Sequence, residues 1–76
     1  MWMDGTIEEN YRYKVRIHDS TNKFCLGDSR ISDIEVIDES GEVIILFEGF
    51  GDPRWVVEPS DQLETFLLGK ILGLYE

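Results

Sequence analysis

Val43-Ile44-Ile45-Leu46-Phe47 is five apolar residues without a break, set between Ser40-Gly41 and Gly49-Phe50-Gly51-Asp52-Pro53. A short apolar run between turn signals is either a strand covered on both faces or a piece of buried helix. Its length, the flanking glycines and three β-branched residues select the strand. We read it as the central strand of one small sheet, with the rest of the chain covering its two faces.

The neighbouring segments fit that reading. Upstream, Arg30 to Ile37 alternates, with Ile34 and Val36 on one face and Asp33 and Glu35 on the other. Ile31 and Ile37 fall out of the alternation, which points to a bulge or to two-sided burial at the ends. Asp38-Glu39-Ser40-Gly41 reads as a hairpin connection in which a type I turn ends on a glycine at positive φ. Downstream, Arg54 to Glu58 is the last strand, and Pro59 stops it.

Tyr11 to His18 has the clearest period of two. Tyr11, Tyr13, Val15 and Ile17 alternate with Arg12, Lys14, Arg16 and His18, giving one apolar and one basic face. Asp19 to Asn22 is a turn by composition, and Lys23 to Leu26 reads as a short return strand. Residues 1–9 form a partly ordered tail or a short first strand, in which Trp2 is out of place unless an apolar neighbour covers it. Ser60 is the expected N-cap of a helix, with Leu63, Phe66, Leu67, Ile71 and Leu74 as its apolar stripe. Leu68, Leu72 and Tyr75 widen that stripe. Gly69 and Gly73 either permit close backbone approach or mark fraying after Lys70.

The expected fold is therefore α+β: a small antiparallel meander of about five strands, curled or barrel-like, with one C-terminal helix packed on the sheet. Residues 10–76 make one domain, since 76 residues leave no room for two cores. Cys25, the single cysteine, lies between Phe24 and Leu26 and reads as a buried apolar thiol. With no disulfide, no leader-like start and no span-length apolar segment, the expected setting is cytoplasmic.

Catalytic equipment is missing. His18-Asp19-Ser20 has the residue types of a hydrolase triad, but adjacent residues cannot form the relay. One histidine and one cysteine make no metal-ligand set. The glycines at 49 and 51 lack the lysine of a phosphate loop. Asp38, Glu39 and Glu42 lack the spacing of a calcium loop. The expectation is a protein that is not an enzyme and takes no cofactor and no metal.

Charge is the informative quantity. Sixteen carboxylates face seven Lys and Arg, a formal net charge of -9. Such a field disfavours nucleic acid and anionic membranes and favours encounter with basic surfaces. Arg12, Lys14 and Arg16 are expected to pair across strands with Asp33 and Glu35. From Ile31 to Pro53 there is no Lys or Arg at all. Asp33, Glu35, Asp38, Glu39, Glu42, Glu48 and Asp52 are therefore the expected partner-binding residues, with Phe50 and Trp55 as aromatic anchors. The expected function is a small acidic protein-binding module. Inhibitors from phages and mobile elements (anti-CRISPR and anti-restriction proteins among them) and nuclease-immunity proteins share this size and charge, and they occupy a basic, nucleic-acid-binding surface of their partner. The alternative is a homo-oligomeric structural or adaptor subunit, a homodimer joined through Leu68, Leu72 and Tyr75 of the helix.

Overall fold

The computed structural model describes residues 1–75. Five strands, β1 (Trp2–Ile7), β2 (Tyr11–Ile17), β3 (Ile31–Ile37), β4 (Val43–Glu48) and β5 (Arg54–Val57), precede one helix, α1 (Gln62–Leu74). Each strand pairs antiparallel with the next, so the sheet order is β1-β2-β3-β4-β5. The meander is open, curled but not closed into a barrel.

Period-two alternation sends Tyr13 and Val15, Ile34 and Val36, and Ile45 and Phe47 to one face. There Leu67 and Ile71 of α1 seal the core. The middle strand is β3 rather than the Val43–Phe47 run, which forms β4, one place from the centre. Ile45 and Phe47 are buried, Leu46 is half-buried on the other face, and Ile44, passed over where the register against β3 shifts, is half-buried against the core. The unbroken apolar run thus marks an interior strand with one sealed face and one partly open face.

Two further expectations are corrected. The count of five strands holds because residues 2–7 pair in full with β2, while residues 23–26 form no strand. That segment is curled by Asn22, whose side chain accepts from the Phe24 N–H at 2.9 Å and whose carbonyl accepts from the Cys25 N–H at 3.1 Å. The resulting loop folds over the sheet end with Cys25 buried. It comes so close that a Cβ on Gly49 would lie 2.0 Å from the Phe24 carbonyl oxygen and 2.2 Å from that of Ser32. Only glycine fits there.

The helix begins one residue later than expected. Asp61 is the N-cap, its Oδ1 accepting from the Glu64 N–H at 2.8 Å, and Glu64 Oε1 accepts from the Ser60 N–H at 2.7 Å. The pair is a variant of the capping box: the N-cap carboxylate binds the N3 N–H, and the N3 glutamate reaches the N–H of Ser60, the residue before the cap. The helix continues through Gly69 and Gly73, which face open space. Its rotation also differs: Leu63, Phe66 and Leu74 are about half exposed, while Leu68, Leu72 and Tyr75 flank the core. Polar contacts at its end set that rotation. The Tyr75 hydroxyl bonds that of Tyr13 at 2.7 Å, and Arg30 donates to the Tyr75 carbonyl at 3.1 and 3.2 Å.

Candidate functional site

In a meander, alternate connections return to the same end. The β1–β2 turn, the β3–β4 turn and the exit from β5 into α1 therefore share one end of the sheet. The long loop 18–30 and the loop 49–53 share the other. With strands about 4.8 Å apart, the three connections of the first end span roughly 20 Å.

That end is acidic. The β1–β2 turn supplies Glu8 and Glu9, the β3–β4 turn supplies Asp38, Glu39 and Glu42, and the exit supplies Glu58, Asp61 and Glu64. These are eight of the sixteen carboxylates. The cation that reaches them is Lys70, which pairs with Glu8; Arg12 stands one row in, on the sheet face. Eight anions and Lys70 leave -7 of the formal -9 at this pole.

Local chemistry explains some of these carboxylates and not others. Asp38 organises its turn: Oδ1 accepts from the Ser40 hydroxyl at 2.6 Å, the Ser40 N–H at 2.9 Å and the Glu42 N–H at 3.0 Å. Those donors, the Ser40 hydroxyl first, hold its carboxyl below the usual aspartate range. Gly41 at φ 90° completes the expected hairpin. Among the described residues, Glu9, Glu39, Glu42 and Glu58 make no side-chain hydrogen bond or ion pair. Glu8 and Glu9 have φ of 51° and 65°, a left-handed backbone that glycine or asparagine adopts far more readily. The turn holds two glutamates where the backbone favours other residues.

The sheet face turned away from α1 is different. Register places Lys14 between Asp4 and Glu35, and Arg16 between Trp2 and Asp33. Asp33 lies opposite Glu48, which bridges to Arg54 at 3.2 Å. The basic strip of β2 and the acidic strip of β3 are thus neighbours, as expected. Among the described residues, however, neither Lys14 nor Arg16 has a carboxylate oxygen within 4 Å. The Arg16 guanidinium instead lies 3.9 Å from the centre of the Phe50 ring, which stacks on Phe24 at 5.1 Å. Trp2 covers Lys14 at 5.1 Å and Arg16 at 5.9 Å.

The residues expected to bind a partner are therefore divided. Asp38, Glu39 and Glu42 belong to the acidic end. Asp33, Glu35 and Glu48 lie on the mixed-charge face, and Asp52 with Phe50 in the loop at the far end. Trp55 packs edge-on against Phe47 at 5.1 Å and is half-buried in the core. Leu68, Leu72 and Tyr75 lie against the sheet side of the helix. Glu8, Glu9, Glu58, Asp61 and Glu64 lie outside the acidic stretch 31–53 and join its turn acids only through the fold. Counting acids in alternate connections of the meander would have found them.

At the far end, Ser32 is completely buried and its hydroxyl donates to Asp33 Oδ2 at 2.9 Å. With its one proton so used, it accepts from His18 Nε2 at 2.8 Å. The serine stands between histidine and carboxylate and is sealed from solvent, so this trio joins loop to sheet and has no nucleophile to offer. Tyr75 is pushed up to about 12 by burial and by its bond to Tyr13. Among the described residues no group of three or more His, Cys, Asp or Glu is placed to hold a metal ion. None of their helices is long and apolar enough to cross a membrane. No family model, curated protein or solved structure matches the sequence.

Proposed function

We propose that this protein is a non-enzymatic binding module that docks end-on, through its acidic pole, onto a basic surface of another protein. An inhibitor that covers a nucleic-acid-binding site, as anti-defence and nuclease-immunity proteins do, works in this way. The observation that carries the reading is the gathering of Glu8, Glu9, Asp38, Glu39, Glu42, Glu58, Asp61 and Glu64 on adjoining connections with Lys70 as their counter-charge. The left-handed Glu8 and Glu9 support it, since strained backbone persists where something else is gained.

The test is capture from native cell extract at about 0.05 M and about 0.5 M salt, conditions under which the screening length falls severalfold. It compares the native chain with Glu9→Gln, Glu39→Gln, Glu42→Gln, Glu58→Gln combined. A basic protein held at low salt, released at high salt and bound by the variant with an on-rate about ten-fold lower supports the reading. Equal retention by both proteins at both salts removes it.

One observation favours a second reading, a homo-oligomeric subunit: Leu63, Phe66 and Leu74 leave an apolar helix side exposed, with Gly69 and Gly73 open beside it. Sedimentation at micromolar concentration decides, because a monomer eliminates it.

A further inference from the structure

The two edges of the sheet are built differently. β5 has four residues, a register break against β4 and a proline near each end, Pro53 and Pro59. Those are the devices by which a sheet edge refuses a further strand. β1 has six residues, no proline, no lysine and an unbroken register along its whole length. The parity of its hydrogen bonds follows from its start, where Met1 and Ile17 exchange bonds at 2.8 and 3.0 Å. Bonded and non-bonded pairs alternate in an antiparallel ladder. The N–H and C=O groups of Met3 and Gly5 therefore face β2, and those of Trp2, Asp4 and Thr6 face outward along the free edge.

Charge says what fits there. On the open face β3 is acidic, β2 is basic, and β1, which has no Lys or Arg of its own, presents Asp4 opposite Lys14 before running into Glu8 and Glu9. Opposite charges across neighbouring strands stabilise a sheet, and like charges destabilise it. The next strand in that alternation is basic. We infer that the free edge of β1 receives an extended segment of the partner bearing lysine or arginine, its backbone bonded to Trp2, Asp4 and Thr6. Its cations then lie beside Asp4 and against the Trp2 ring on the side away from Lys14 and Arg16, Trp2 being 51% exposed. This rests on the proposal of a basic partner and adds the mode of engagement, strand addition. A second copy fits less well, because antiparallel pairing of β1 with itself about Asp4 sets Asp4 against its own copy.

The test uses a capped heptapeptide alternating valine with lysine and arginine, followed by amide hydrogen exchange of the full chain. At saturation the amides of residues 2, 4 and 6 are expected to slow by roughly ten-fold or more, with those of Met3 and Gly5 little changed. The same peptide N-methylated at alternate residues keeps the charge and loses the backbone donors, so it is expected to give no protection. Thr6→Pro removes one outward N–H from a position where an edge strand tolerates proline, and is expected to weaken binding several-fold. Unchanged exchange at residues 2, 4 and 6, or equal binding of the N-methylated peptide, overturns the inference while salt-dependent capture by the acidic pole still stands. Protection of these amides without peptide, in a species of dimer mass, overturns it in favour of a second copy.

Discussion

The two ends of the sheet solve opposite problems. At the loop end, residues 18–30 and 49–53 are packed to the limit of backbone approach. Gly49 admits two carbonyls, Ser32 is sealed and bonded to half-buried His18 and Asp33, and Phe24, Phe50 and Arg16 are stacked in layers. At the turn end nothing comparable is buried. Half the carboxylates of the chain stand on the short connections and the first turn of α1, two of them on left-handed backbone. The loop end is organised for stability, and the turn end gives up stability for charge.

The largest expected effect lies at the loop end. Gly49→Ala places a methyl group inside two carbonyl oxygens that cannot both move. It is expected to remove about 4 kcal/mol or more, enough to leave a domain of this size largely unfolded. Thermal or urea unfolding measures it, and a variant melting within a few degrees of the native chain would mean that the loop is not seated there. Ser32→Ala at the same end leaves His18 and Asp33 without their shared partner. The expected loss is about 1–3 kcal/mol, read from the urea midpoint.

The turn end should respond with the opposite sign. Glu9→Gly relieves a left-handed glutamate and is expected to raise stability by about 1 kcal/mol. In the same variant the acidic pole loses one charge, so partner binding should weaken as the melting temperature rises. A lower melting temperature would show that Glu9 is held by favourable contacts rather than against its preference. The smallest effect concerns Asp38. Its folded carboxyl is held below the usual 3.8, so its contribution is present above that value and lost as pH falls through the lower folded one. Asp38→Asn should flatten the acid limb of the stability curve in that window, and an unchanged limb would assign acid sensitivity to other carboxylates.

The legibility of the chain follows the same division. Strands β2 to β5 and the Asp38–Gly41 turn were readable because alternation and turn chemistry are local properties. The Lys23–Leu26 segment was not, since its path is set by Asn22 and by Gly49, which lies far along the chain. Trp2 looked anomalous in a tail; the pairing of β1 with β2 accounts for it by bringing Lys14 and Arg16 beneath its ring. The helix was legible but its rotation was not, because apolar residues ring most of its circumference and the Tyr13–Tyr75 bond selects among them. The acidic pole was hidden for a topological reason. Its members come from three connections, and only the order of the strands makes them neighbours.

Gathering so much of the net charge at one extremity gives the molecule a permanent electric dipole directed along its strands. A positively charged partner exerts a torque on such a dipole before any atoms touch. An encounter with the basic partner proposed above would be oriented as well as accelerated, with the Glu8–Glu9 and Asp38–Glu42 turns leading and the Phe24–Phe50 stack trailing.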